Sequence, residues 1–206
     1  MCNLYRMTSN VDAMRQLFGP IDTGGANVPE LREVWPDRAA PVIVAGEGAG
    51  LRLETMRWGW PPFGDLRRSI TNVRNLSSPM WRGALADPAH RCLVPVTAYC
   101  EWSAAPDPAT GHKIRHWFAL PGEALFAFAG LWRPAPEGPR FAFLTWPANE
   151  TVGRVHPKAM PVMLAGRKAA HDWLSVSGAE AAAMQRPFPD AQMLELPREQ
   201  PQGSLL

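Results

Sequence analysis

Four apolar runs in the second half of the chain restrict the fold more than any other feature. Residues 92–102, 113–120, 125–132 and 140–146 read as strands, and turns carrying Pro, Asp and Gly separate them. Strands in direct succession call for an antiparallel sheet. In the first half, residues 2–7 read as a short strand. Residues 42–45 and 51–58 flank Gly46-Glu47-Gly48-Ala49-Gly50, a hairpin signal. Helices fall around these strands. Asn10 caps one that runs to about Phe18, with Met14, Leu17 and Phe18 as its apolar stripe; Gly19-Pro20 stops it. Ser78-Pro79 opens another to about Leu85. A helical turn is expected at 148–152, a short strand at 161–164, helices at 167–174 and 178–185, and a last strand at 193–196. The expected fold is α+β: a single mixed domain over 1–196 with a β-barrel-like antiparallel core and peripheral helices, then a loose tail at 197–206.

Composition removes several function classes. With 206 residues, 46% hydrophobic and 19% charged, the chain is long enough to bury a sizeable core. It has no run of eighteen apolar residues, so no membrane partner is expected. Three cysteines and a polar N-terminus without an apolar signal core point to a cytoplasmic protein rather than a disulfide scaffold. The cysteine spacing fits no zinc pattern; no metal and no cofactor are expected. The net charge of +2 excludes a uniformly basic coat but leaves room for a local patch. Arg supplies 18 of the 21 basic residues, and there are nine Trp, which serve as core or as stacking surfaces for bases.

Some residues carry chemistry in their own right. Cys2 follows the initiator Met, and removal of Met1 would leave two nucleophiles on one residue. These are an α-amine titrating near 7.7–8.0 and a thiol near about 8.5. The amine can condense with an aldehyde to an imine, and the thiol can then close a five-membered thiazolidine. Chemistry alone leaves an accidental Cys2 open. Cys92 and Cys100 read as core. Asn72-Val73-Arg74 can hold a sugar or carbonyl oxygen and a phosphate, or be a plain turn with a surface charge. Glu101, in Tyr99-Cys100-Glu101-Trp102, is a carboxylate among hydrophobes, costly unless paired or working; strand alternation also allows it a solvent face. His156 lies in a Pro-bounded loop, as an acid/base group or a structural one. The other histidines (His90, His112, His116, His171) read as surface.

Eight segments stand in a fixed order: Met1-Cys2-Asn3-Leu4-Tyr5, Arg57-Trp58-Gly59, Asn72-Val73-Arg74, Arg91-Cys92-Leu93-Val94-Pro95, Tyr99-Cys100-Glu101-Trp102, Ala129-Gly130-Leu131-Trp132, Leu144-Thr145, and His156 through Pro161. Together they resemble the SOS-response-associated peptidase family, whose members process abasic sites in single-stranded DNA. The resemblance implies a barrel-like core and a positive groove for single-stranded DNA ending at a duplex junction. It implies Cys2 as the N-terminal nucleophile, with Asn72, Glu101 and His156 as supporting catalytic positions. Arg74, Trp58, Trp102, Thr145, Pro36 and Lys158 are implied at the DNA or the lesion. Two departures stand out. The family commonly begins Cys-Gly-Arg, whereas Asn3 and Leu4 follow Cys2. Its His-x-Arg-Met-Pro is one residue longer in this chain, with Lys158 in place of the Arg.

The expected activity is therefore covalent capture of the ring-opened abasic aldehyde as a thiazolidine crosslink, shielding the lesion during the DNA-damage response. Self-removal of Met1 is the peptidase-type step, and weak lyase activity accompanies the imine. A monomer that joins the nucleoid when bound to DNA is expected. The rivals are a thiol (auto)peptidase using Cys2 and a non-covalent single-stranded DNA-binding module.

Overall fold

In the computed structural model, which describes residues 2–26, 28–48, 50–62 and 67–198, the strands form two sheets with five short α-helices around them. In chain order the elements are β1 (Tyr5–Met7), α1 (Val11–Phe18), β2 (Ile21–Asp22), β3 (Leu31–Val34), β4 (Ala39–Ala45), β5 (Leu51–Trp58), β6 (Asn72–Val73), α2 (Pro79–Ala86), β7 (Arg91–Val96), β8 (Ala98–Pro106), β9 (Lys113–Ala119), β10 (Phe126–Arg133), β11 (Arg140–Trp146), α3 (Glu150–Gly153), β12 (Met160–Pro161), β13 (Met163–Leu164), α4 (Gly166–Ser175), α5 (Gly178–Ala183) and β14 (Leu194–Glu195). From residue 199 on, the expected tail lies outside the described residues.

The larger sheet curls until it closes. Strands β11, β10, β7, β4 and β5 pair in sequence, and β5 returns to β11 through Arg57↔Arg140 and Trp58↔Phe141. The core is thus barrel-like, and its ring is antiparallel except at the parallel seam, where β6 also lies parallel to β11; outside the ring, β2 adds to β5 in parallel. The smaller sheet, β14-β9-β8-β1-β3, lays its inner face on this ring. Tyr5 and Tyr99 from that face meet Phe128 edge-on at 6.1 and 5.7 Å, and Phe128 packs 4.7 Å from Phe143. Each such ring, fully buried, contributes about 1.5–3 kcal/mol of transfer free energy. The outer face carries a second, smaller apolar cluster of Leu4, Ala98, Cys100, Trp117 and Ala119.

Local signals account for the helices. The Asn10 side chain accepts from the Ala13 amide, and Met14 and Phe18 turn inward. Ser177 and Glu180 close a reciprocal capping box on α5, although Ser78 makes no side-chain cap on α2. Helix α4 docks by Trp173, whose indole N–H donates to Cys92 O at 3.0 Å and Gly130 O at 3.3 Å. Gly130 is obligatory beneath it, since a β-carbon there would lie 2.6 Å from Cys92 Sγ.

The strand expected at 92–102 is two strands in different sheets. β7 belongs to the ring and β8 to the smaller sheet, with Thr97 at the corner donating its amide to Arg6 O. All of β7 is buried, so its apolar run passes into β8 with no break in pattern. The strand expected at 161–164 is likewise split into β12 and β13, which pair with β11 and β10 respectively.

Candidate active site

The corner between the two sheets brings Cys2 to residues from three other parts of the chain. Cys2 precedes β1 and is fully buried. Its thiol lies 3.6 Å from Leu4 O and 4.0 Å from Cys100 O. Asn72, on the two-residue β6, donates from Nδ2 to Cys2 O at 3.0 Å and to Thr71 Oγ1 at 2.8 Å. β6 pairs in parallel with β11, with Asn72 opposite Phe143 and Val73 opposite Leu144.

Glu101 enters from β8. Alternation places it with Tyr99 on the inner face, while Cys100 and Trp102 face outward. It is 1% exposed, with Oε2 3.4 Å from His156 Nδ1. The same His156 nitrogen lies 3.2 Å from Ala159 O; a carbonyl only accepts, so Nδ1 carries the proton. Burial raises the Glu101 carboxyl from 4.5 to about 7, and burial lowers the His156 imidazole from its usual 6.5. The environment thus drives an acid and a base toward each other in proton affinity, which suits proton exchange near neutrality. The Cys2 thiol is raised well above 9.0, first by burial and then by the Glu101 charge, so it is a neutral thiol at rest.

Unpartnered buried atoms gather on these same residues. Among the described residues, Asn72 Oδ1, Glu101 Oε1 and Thr145 Oγ1 are buried without a hydrogen-bond partner, as are the Tyr5 and Tyr99 hydroxyls and, elsewhere in the fold, Arg91 Nη2 and Trp132 Nε1. Each such group costs about 1–3 kcal/mol. Two of them, Asn72 Oδ1 and Glu101 Oε1, belong to residues that close around Cys2 and leave unused acceptor capacity there. Thr145, on β11, is fully buried.

The residues expected at DNA divide into two sets. Arg74 and Lys158 are exposed, and Pro36 is half-buried beside Asp37, whose φ is +63°. Trp102 is half-buried, its indole N–H donating to Asn3 Oδ1 at 3.1 Å. Trp58 corrects the expectation. It is fully buried, stacked on Phe143 at 5.1 Å and edge-on to Tyr5 at 5.3 Å, with its indole N–H on Thr71 O, and so it has no face free for a base. It instead supports the segment that presents Asn72. Leu4, where the family commonly has Arg, is fully buried in the outer apolar cluster.

Sequence reasoning missed Trp35 and Arg115. Trp35 lies 6.4 Å from Trp102, and the Arg115 guanidinium sits 5.6 and 5.2 Å from the two rings while pairing with Glu33. The register opposing Trp102 to Arg115 makes this cluster, and single-strand reading cannot supply it. The remaining histidines are not all surface groups. His171 Nε2 donates to Phe18 O, His116 bonds Glu195, His90 bonds Asp87, and His112 is exposed. Among the described residues no cluster of three metal-ligating side chains occurs, and no helix is long and apolar enough to cross a membrane.

Solved structures share this architecture. A protein from Bordetella bronchiseptica superposes with a TM-score of 0.76 at 23% identity, covering 94% of this chain and 98% of that one. A protein from Bacteroides thetaiotaomicron gives 0.74 at 22% identity, covering 94% and 90%. A phage-related protein, also from Bordetella bronchiseptica, gives 0.74 at 21%, covering 97% and 95%. At these identities the likeness establishes the fold. No curated protein matches the sequence significantly. The family described as SOS response associated peptidase (SRAP) matches residues 1–198. With nearly the whole chain matched, and a corner of two sheets that gathers Cys2, Asn72, Glu101 and His156, this protein belongs to the SRAP family, which ties it to the SOS response to DNA damage.

Proposed function

We propose that the protein captures abasic sites in single-stranded DNA as a covalent thiazolidine on Cys2, once Met1 has been removed. The observation that carries this reading is the convergence on Cys2: an amide holding its carbonyl at 3.0 Å and a buried carboxyl paired at 3.4 Å with a half-buried imidazole.

The α-amine of a terminal Cys2 adds to C1′ of the ring-opened sugar. Loss of water gives the imine. The thiol then adds to C1′, and its proton passes to nitrogen, so that aldehyde and aminothiol become thiazolidine and water. Glu101, titrating near 7, takes a proton from the α-ammonium in its ionised form and delivers one to the departing hydroxyl in its acid form. His156 exchanges protons with Glu101 and, when charged, is the acid for opening the sugar ring. Asn72 fixes the backbone of the nucleophile, and its unpartnered Oδ1, with Thr145 Oγ1, is available to sugar hydroxyls. The raised thiol favours this amine-first order over a thiol peptidase, which needs a thiolate at the outset. The Glu101–His156 acid/base pair has no part in a purely non-covalent binding module.

Intact mass after incubation with an abasic single-stranded oligonucleotide is the test. The expected result is a protein lacking Met1 plus one oligonucleotide, less one water. A mature protein that stays at its own mass overturns the reading.

Arg74 supplies an exposed guanidinium next to Asn72. Arg74→Ala is expected to weaken single-strand binding by about 1–2 kcal/mol, the scale of a charge-assisted hydrogen bond. It should also flatten the dependence of affinity on salt. Fluorescence anisotropy across a salt series reads both, and an unchanged slope removes Arg74 from the DNA contact.

A further inference from the structure

Gln185 lies just beyond α5, far in sequence from Asn72 and Thr145, and is 9% exposed. Its Nε2 donates to Arg74 O at 2.9 Å and to Thr145 O at 3.0 Å, with Val73 O at 3.4 Å. Val73 O belongs to β6, Arg74 O follows it directly, and Thr145 O belongs to β11, its parallel partner. Their ladder is short: Asn72 opposes Phe143, Val73 opposes Leu144, and there the pairing of β6 ends. β11 continues through Thr145 and Trp146 toward β12. The side-chain amide spans the place where the next rung would stand. An amide nitrogen carries two hydrogens, so the two short bonds use its full donor capacity.

The base of this clasp is firm. Gln185 donates its own backbone amide to Ala182 O, within the last turn of α5. The capping box orders the start of that helix. Gly178 sits so close to α2 that a β-carbon would lie 2.9 Å from the Ala86 Cα.

We propose that Gln185 is a positioning residue of the Cys2 site, a role that rests on the covalent-capture reading above. By pinning Arg74 O to Thr145 O it fixes the separation of two site residues: Asn72, which holds the Cys2 carbonyl, and Thr145, whose buried hydroxyl lacks a protein partner. The Trp58 indole holds the N-terminal side of this two-residue strand at Thr71 O, and the Gln185 amide holds its C-terminal side. A loosened β6 carries the Asn72 amide away from the Cys2 carbonyl and so releases the backbone of the nucleophile. Misplacement of about 1 Å is enough to cost orders of magnitude in rate. The C-terminal helix is thereby part of the catalytic apparatus, although it contributes no reacting group.

Gln185→Met keeps the length and volume of the side chain and removes both donors. The measurements are the single-turnover crosslinking rate at saturating abasic single-stranded DNA, the Kd for the same oligonucleotide with an intact base, and the melting temperature. The wild-type protein, crosslinking in parallel, separates the two ideas: if it forms no adduct, covalent capture itself fails. Given a wild-type adduct, the expected result is a rate constant about tenfold lower per folded molecule, with Kd changed by less than about threefold. A lower melting temperature with a normal rate per folded molecule overturns the proposal, because the amide would then only hold the fold together. Should Gln185→Met not fold, the same measurements on Gln185→Glu decide. Failure of both variants to fold also overturns it, as the amide would then be a requirement of the fold.

Discussion

Cys2→Ala protein leaves no heat-stable adduct with abasic single-stranded DNA, while its melting temperature stays within a few degrees of the wild type. The loss is complete because the thiol makes the bond that closes the ring, and no neighbour can replace it. Cys92 is fully buried in the ring sheet, and the Cys100 thiol faces the outer cluster, bonded to Glu101 O at 3.6 Å, with its pKa pushed up to about 12. The stability change is small because removing one sulfur from the core costs about 1 kcal/mol, the scale of a minor buried truncation. The variant also separates the two nucleophiles. Its α-amine remains, so an imine still forms and can be trapped with cyanoborohydride. A trapped adduct without a spontaneous one assigns first attack to the amine and closure to the thiol. A spontaneous, heat-stable adduct in Cys2→Ala would sink the thiazolidine chemistry.

What could be read before the fold was known follows the range of the forces involved. Helix α1 was legible because Asn10 and the Met14/Phe18 stripe act within two turns. The strands β9, β10 and β11 were legible because turns bound them. The passage from β7 to β8 was not, because both sides of Thr97 are apolar and the switch of sheet is decided by which partner each strand meets. Strands β2, β3 and β6 are two to four residues long, too short for alternation to register. The chemistry of Cys2 was visible in the residue itself, and Glu101 stood out as a carboxylate inside an apolar run. Their meeting with Asn72 and His156 was visible only through the order of segments shared with a family, since no spacing links positions 2, 72, 101 and 156. Trp58 misled because an aromatic beside a glycine reads equally as core or as platform, and only its packing on Phe143 separates the two. Gln185 gave no signal, since its role depends on where two other strands part company.

Glu101→Gln makes the protein more stable in alkali and far slower in chemistry. The carboxyl is held at about 7 rather than 4.5, chiefly by burial, so the folded chain binds its proton more tightly than the unfolded chain does. A raised pKa gives stability that is fully present below about 4.5 and is lost as the pH rises through about 7. At 1.36 kcal/mol per unit the loss comes to about 3 kcal/mol above neutrality. Glutamine copies the shape of the protonated acid and never ionises. The variant should therefore match the wild type at pH 4 and exceed it at pH 8.5, by roughly 5–10 °C in Tm for a chain of this length. Its crosslinking rate should fall about 10²-fold or more, the usual scale for removing a general acid/base. The wild-type rate should also show an inflection near pH 7 that the variant lacks. A carboxylate retained only to pair with His156 has the opposite signature, with stability lost on substitution and the rate per folded molecule unchanged. Melting curves at the two pH values, measured beside the pH–rate profile, distinguish a group that the fold tolerates for its chemistry from one that the fold needs.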